Sequence, residues 1–446
     1  MMYARVSQHV SFISHELAET AKIACPILIS LSLSMLSGLV DTVALGRFST
    51  QALSSAIVGT SIFIVFVTAV NGLLRSMIPL YFSASDSRES ARVVFNSGAL
   101  ALGLSAFFCA VVLNLKSVLF IWGLEDTLSQ HTYNYLGILI WGLIPLSLSM
   151  AVTNLFIVRK YTKPLLKVSA LAFLVNVSTT IILVFGLAGG EPMGERGAAV
   201  GSVLSYLFSF AYGGLLYARK YKGVAPILVP EFCFSLIKQC FVIGVPISAA
   251  VVTKFTAMSM LAIWVSQAGD KHVGAFGILN NVATIVFIFP VAYGQAQLSR
   301  LGHTGKFETA VAGLRWLYAC LLNIALITTL VVLTLFAIQD WLIGVYTSDD
   351  SIVALFKRTL PIMLIVVMFD AIQATSGIVL THFKDTLFSF ASIAIGYFLI
   401  CLPVVYFFSD VTSPDIILHV YKAMMLCMLI LTVLQVGRLS KRIVRA

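Results

Sequence analysis

Residues 26–49 read PILISLSLSMLSGLVDTVALGRFS, an apolar run interrupted near its end by one carboxylate, Asp41. Small residues crowd the same run: Ser32, Ser34, Ser37, Gly38, Thr42 and Gly46. An ionised carboxylate at the centre of a bilayer costs roughly 2.5–3.5 kcal/mol on insertion scales, so by default it faces a polar interior and has a task there. The competing reading is a carboxylate that snorkels from a helix end, since few apolar residues follow it. Small residues let neighbouring backbones approach closely. The run therefore reads as an interior helix that carries a titratable group.

The rest of the chain extends the same pattern. Its 446 residues are 59% hydrophobic and 11% charged, with mean hydropathy +0.98. Soluble domains carry about 25% charged residues, so this is a polytopic membrane protein of all-α class. The net charge of +10 is assigned to cytoplasmic loops rather than to a nucleic-acid partner. The seven cysteines are scattered, with no Cys-x-x-Cys pair. They suit neither a disulfide framework nor a zinc site and read as small reduced hydrophobes. Residues 1–22 contain His9, His15, Glu16 and Glu19 and lack a compact apolar run before a cleavage site, so no signal peptide is read there. Val6, Val10, Ile13 and Leu17 recur at helical spacing, which predicts a short interfacial helix.

Apolar runs bounded by charges and turn residues mark twelve spans: 23–45, 53–80, 94–115, 134–158, 165–186, 197–218, 237–266, 275–298, 312–338, 356–381, 386–408 and 418–437. The longest break, Lys220 to Lys238, contains Pro226 and Pro230 and falls near the middle. It divides the chain into two bundles of six, residues 1–222 and 223–446.

The two halves echo one another. Pro26 and Pro246, each opening a half's first long span, are 220 residues apart; Pro79 and Pro290, each closing the next span, are 211 apart. Pro145 precedes Asn154 by nine residues, and Pro361 precedes Asp370 by nine, an offset of 216. Three pairs at nearly constant offset predict parallel repeats of six spans related by a pseudo-two-fold axis, with the substrate path between the halves. With both termini placed inside, 20 Lys and Arg fall on the inner side and seven on the outer, leaving Arg75 and Lys254 within spans. That bias places both termini in the cytoplasm; the expected location is the cytoplasmic (inner) membrane.

Several function classes find no support in the residues. There is no Gly-x4-Gly-Lys-Ser/Thr phosphate loop, so energy for pumping must come from an ion gradient. His-Glu-x-x-His and Gly-x-Ser-x-Gly are also missing, and no reactive cluster suggests an enzyme. A channel would need a repeated filter sequence, and none is present.

Motifs along the whole chain resemble the multidrug and toxic compound extrusion (MATE) family. LVDTVALGRFSTQALSSA, from Leu39, is similar to that family's first-span signature. NVSTTIILVFG from Asn176 with MGERGAAVGS, then GVPISAA at Gly244, NNVATIVFIFPVAYGQA with RLGH at Arg300, and FDAIQATSGIVLTHFKDTLFSF follow in the family's order. The resemblance implies twelve helices in a V-shaped pair of bundles and antiport of an organic solute against H⁺ or Na⁺, with no cofactor beyond that coupling ion. It places Asp41 in a proton- or cation-linked site near Asn176, Asp370 in a site of the second half, and Asn281 facing that second site. Three positions depart from the pattern. Lys254 stands where many relatives have a glutamate, Arg75 where an apolar or small residue is usual, and LYFSASDSRE where a Gln-x-x-Gly-Ala turn is expected.

Asp41 and Asp370 are thus the expected coupling residues. Lys254, Arg75, Asn154, Asn176, Asn281 and Gln373 are the expected lining of the substrate cavity. An ammonium at membrane depth must be paired, bathed in water or neutralised. For Lys254 the simplest solution is a salt bridge to Asp370, and the alternative is contact with an anionic substrate group. Arg75 lies one turn before Pro79 and either snorkels or lines the cavity. The three asparagines either bond helices together or contact the cargo. The expected function is export from the cytoplasm, with the proton as coupling ion ahead of sodium. The expected partners are an organic small molecule and membrane lipid, without nucleic acid, for a monomer. The alternatives are a lipid-linked oligosaccharide flippase of the same superfamily or an exporter of an anionic metabolite.

Overall fold

The computed structural model describes residues 2–114, 126–222, 229–305, 307–410 and 413–445, with backbone alone for 2–10 and 126. Each long apolar run is a helix, as a bilayer demands of a backbone that must satisfy its own hydrogen bonds. Among the described residues twelve helices are long and apolar enough to cross a membrane. We number them α1 (Met2–Phe48), α2 (Thr50–Ser83), α3 (Ser87–Leu113), α4 (Thr127–Val158), α5 (Lys163–Phe185) and α6 (Glu195–Tyr221). Then follow α7 (Phe234–Ser266), α8 (Asp270–Thr304), α9 (Ala310–Ala337), α10 (Asp350–Phe383), α11 (Thr386–Phe408) and α12 (Ile416–Arg445). Lys116, one of the outer-side charges, and residues 223–228 of the central break, Pro226 among them, lie outside the described residues.

Prolines set the interruptions. In α2 regular helix stops at Arg75 and resumes at Met77, because Pro79 has no N–H to give the Arg75 carbonyl. In α11 the segment Ile395–Cys401 widens to a π-helix just before Pro403, which likewise cannot bond one turn back. Polar caps supply the starts: Ala52 N–H donates to Ser49 Oγ (3.0 Å) at α2, and Glu89 N–H to Asp86 Oδ1 (2.7 Å) at α3. Ala312 N–H donates to Thr309 Oγ1 (3.1 Å) at α9, and Ser351 N–H to Asp349 Oδ1 (2.8 Å) at α10.

The chain forms two compact units, Ile29–Ser248 and Met1–Leu28 with Ala249–Ala446. These cuts differ from the expected 1–222 and 223–446, because the start of α1 packs with the second half's helices and the start of α7 with the first half's. The first unit is built around Leu45, Phe63, Val70, Leu74, Leu136, Ile140 and Val184. The second has a larger core of Leu261, Phe276, Phe356, Met363, Tyr397, Tyr421 and Met428. The pseudo-repeat is visible in the backbone. Lys160 (φ 51°) and Lys384 (φ 57°) are the two non-glycine residues with positive φ among those described. They follow α4 and α10, equivalent helices of the two halves.

No separate interfacial helix opens the chain, contrary to the sequence expectation. Residues 2–25 run without a break into the first span. The reason is polar and local to the second unit. Arg300 of α8 forms an ion pair with Glu16 (2.9 Å) and donates to Thr20 Oγ1 (2.6 Å) and to the Glu16 carbonyl (3.0 Å). Gln297 donates to Thr20 Oγ1 (3.2 Å) and Asn323 to the Ile13 carbonyl (3.4 Å). The segment's polar face is thus a docking face on α8 and α9.

Candidate coupling and cargo sites

In the first unit Asp41 is buried. Thr180 of α5 donates to its Oδ1 (2.8 Å), and Ser202 of α6 to its Oδ2 (2.8 Å). Asn176, one turn before Thr180, lies within hydrogen-bonding reach of the carboxylate and gives a longer bond to Ser202 Oγ (3.4 Å). Its own Oδ1 is buried with no hydrogen-bond partner. The geometry depends on how closely α5 and α6 approach. A Cβ at Gly201 would lie 2.6 Å from Thr180 Oγ1 and 3.0 Å from Thr180 N, and one at Gly197 2.7 Å from the Leu183 carbonyl carbon. The GAAVG run from Gly197 is therefore a small-xxx-small face that sets Ser202 and Thr180 side by side. Tyr135 of α4 and Tyr206 of α6 are within electrostatic range of Asp41, and the Tyr135 hydroxyl shares a hydrogen bond with Thr60 (3.1 Å).

In the second unit Lys254 of α7 meets Asp370 of α10. The ammonium donates to both carboxylate oxygens, Oδ1 at 2.8 Å and Oδ2 at 2.7 Å, and sits 4.1 Å from the centre of the Phe287 ring on α8. The ammonium thus has two carboxylate oxygens and one π face as neighbours. The salt bridge expected from sequence is present, as a bidentate contact.

The remaining candidates divide. Gln373 is buried, at 5% exposure, one turn after Asp370. Asn154 donates to the Leu74 carbonyl (3.1 Å), so it closes the break in α2 and does not reach Asp41. Arg75 is half-buried at that break, with no ion-pair partner among the described residues. Asn281 is exposed and is not among the hydrogen-bond partners of the Lys254–Asp370 pair; its neighbour Asn280 accepts from the Tyr421 hydroxyl (3.2 Å). Among the described residues no cluster of His, Cys, Asp and Glu could hold a metal ion.

Sequence reasoning did not single out Thr180, Ser202, Tyr135 and Thr60 around Asp41, nor Phe287 beside Lys254. Thr180 had a usable signal, one helical turn after Asn176. The others come from different helices, and their meeting is a property of packing.

The MatE family model matches residues 26–182 and 246–407. The chain is 25% identical over 399 residues to the multidrug resistance protein NorM of Vibrio cholerae, covering 88% of this chain and 87% of that one. A probable multidrug resistance protein NorM of Shewanella oneidensis is 25% identical over 380 residues, 82% of this chain and 81% of its own. Among solved structures, an outward-facing MATE family multidrug resistance transporter of the MOP superfamily superposes with TM-score 0.86 at 14% identity, covering 96% of each chain. A MOP superfamily transporter from Pyrococcus furiosus Vc1, described as having a binding pocket of reverse polarity, gives 0.83 at 13% identity over 95% of this chain and 96% of that one. These structures establish the twelve-helix fold, and the family model with the matched motifs establishes kinship: the chain belongs to the MATE family, whose members are membrane transporters and not enzymes.

Proposed function

We propose that this protein is a secondary antiporter that exports an organic solute from the cytoplasm in exchange for protons, with Asp41 as the group that titrates. One observation carries the reading. Glu16, Glu195 and Asp370 are buried or nearly so, and each faces a basic partner: Arg300, His131 and Lys254 respectively. Asp41 faces neutral groups, the hydroxyls of Thr180 and Ser202 and the amide of Asn176, and forms no salt bridge among the described residues. A carboxylate held by a fixed cation gains little from a proton. One held by neutral hydroxyls changes the charge of its whole site when it takes one. That change drives antiport provided proton and cargo bind the alternating states unequally.

Sodium fits less well. Both oxygens of Asp370 are spent on the Lys254 ammonium, which occupies the position a metal cation would need. The names of the NorM relatives, multidrug resistance proteins, support an organic drug as the cargo, and Gln373 is proposed among its contacts. The working form is a monomer in the inner membrane with both termini in the cytoplasm, as the 20-to-7 distribution of basic residues argues. Asp41→Asn in proteoliposomes keeps the shape and removes the titration. Export driven by a pH gradient should vanish in this variant while protein level and helix content stay, and undiminished pH-driven export would refute the assignment.

An exporter of an anionic metabolite, or a lipid-linked oligosaccharide flippase, is the second reading. It is favoured by Arg75, a half-buried guanidinium without an ion-pair partner among the described residues. Competition by anionic rather than cationic solutes, lost in Arg75→Gln, would select it.

A further inference from the structure

We infer that the end of the first unit where α4 stops, α5 starts and α6 stops is a binding site for the phosphodiester headgroup of an anionic phospholipid. Seven basic residues converge there: Arg159, Lys160, Lys163 and Lys167 from the α4–α5 turn and the first turns of α5, and Arg219, Lys220 and Lys222 from the end of α6. All but the half-buried Arg159 are exposed. Tyrosines stand between them. Tyr161 meets Tyr221 edge to face at 6.4 Å, and Tyr221 packs on Tyr217 at 4.7 Å. The Arg159 guanidinium lies over Tyr81 (5.5 Å) and Tyr221 (5.3 Å), and the Lys220 ammonium over Tyr161 (5.4 Å).

Carboxylates do not balance this charge. Among the described residues, Arg159, Lys163, Lys167, Arg219, Lys220 and Lys222 form no salt bridge, and the Nε of Arg159 is buried without a hydrogen-bond partner. The acids of this unit at the same end are already engaged. Asp86 caps α3, Glu89 accepts from Ser85 N–H (2.6 Å) and Oγ (2.7 Å), and Glu231 holds Arg88 (2.7 Å) and Arg92. The second unit treats the equivalent turn differently. There Lys384 is followed at once by Asp385, which binds Arg438 and Arg442 at 2.7 Å each. Basic charge common to cytoplasmic loops explains lysines at both turns. It does not explain why the second turn carries a carboxylate while Arg159, Lys163 and Lys167 of the first form no salt bridge among the described residues.

The chemistry of the unbalanced turn fits one occupant. Tyrosine rings sit at the level of lipid headgroups, apolar body inward and hydroxyl outward. Lysine and arginine beside them attract anionic lipid, and within a Debye length the attraction is sensitive to salt. Lys163, Lys167 and Lys220 offer point charges to a phosphodiester, and the ring of Tyr161 gives the glycerol backbone an apolar seat.

The experiment uses the full-length protein, purified in a zwitterionic detergent and titrated with phosphatidylglycerol or phosphatidylcholine. Retained lipid is counted by native mass spectrometry and the thermal midpoint is followed. Phosphatidylglycerol should be retained about tenfold better than phosphatidylcholine and should raise the midpoint at low salt. Both effects should collapse in the Lys163→Gln/Lys167→Gln/Lys220→Gln variant. They should survive in Lys384→Gln/Lys422→Gln/Lys441→Gln, which loses the same charge elsewhere. Size-exclusion elution and helix content, unchanged in both variants, keep misfolding from imitating the result. Equal loss in the two triple variants would mean diffuse attraction, and no loss in the first would mean that lipid binds elsewhere. Inorganic phosphate reproducing the shift at equal concentration would mean a soluble anion. Each of these three outcomes overturns the site.

Discussion

Thr180 and Ser202 can each give Asp41 a hydrogen bond but no charge, whereas Lys254 gives Asp370 both. The same side chain at membrane depth meets neutral donors in one unit and a cation in the other. The second case is the easier to test by energetics. Removing one partner of a buried pair costs about 3–5 kcal/mol, mostly as the uncompensated charge left behind. The side chains here are 30% and 16% exposed, so solvent should reduce this to about 1–3 kcal/mol. Lys254→Met and Asp370→Asn should each lower the thermal stability of the detergent-solubilised protein by that amount. The double variant should recover most of it. Strict additivity in the cycle would mean that the two side chains are not energetically coupled. Lys254→Glu supplies the complementary case, because a second carboxylate beside Asp370 creates an oxygen-rich pocket. Stimulation of transport by Na⁺, absent in the parent, is expected to emerge there.

Helices carry these residues, and the reach of each helix is set by features of very different visibility. The apolar runs are strong signals, and all twelve spans were legible from them, as was the pairing of Lys254 with Asp370, because two opposite charges inside spans have few other solutions. The neighbours of Asp41 were not legible. Thr180 and Ser202 are ordinary small polar residues until the glycines of GAAVG bring α6 against α5, and no periodicity marks that approach. Asn154 misled for a related reason: its partner is a backbone carbonyl, that of Leu74, beside the break in another helix. The end of α12 shows the same dependence on a partner outside the helix. Burial in the turn before α11 raises the pKa of Asp385, but the hydrogen bonds from Arg438 and Arg442 outweigh it and hold the carboxyl below the ordinary carboxylate value. A depressed folded-state pKa contributes stability above the unfolded value, about 3.9, and loses it as pH falls through the folded one. Asp385→Asn should therefore cost about 1–2 kcal/mol near pH 7, a figure discounted because both guanidinium groups are more than a third exposed. The gap in thermal midpoint between parent and variant should be flat from pH 7 to about pH 5 and close below about pH 4. A gap that widens on acidification would show that the pair is not what anchors the end of α12.

At the scale of the whole molecule the proposed direction of transport depends on which helix ends face the cytoplasm, and charge argues this independently of any site. Even numbers of spans return the chain to the side where it began, so the start of α1 and the end of α12 lie together, with the turns after α2, α4, α6, α8 and α10 on that same side. These are the segments that hold most of the lysine and arginine, including all seven residues of the α4–α5–α6 end. The opposite side carries few, among them Arg47 in α1's last turn and Arg196 at the start of α6. Single cysteines in a background freed of the seven native ones test this directly. Arg47, Arg196 and Ser348 are exposed on the proposed outer side, and Lys163 and Lys441 on the proposed inner side. Cysteines at the first three positions should react with an impermeant maleimide added to intact cells, and those at 163 and 441 should react only after the membrane is opened. Glu195 is unsuitable for such labelling, because it is buried against His131 (2.7 Å). The reverse pattern would turn the molecule over and overturn the proposed direction of transport. A mixed pattern, with 163 and 441 on different sides, would break the twelve-span topology itself.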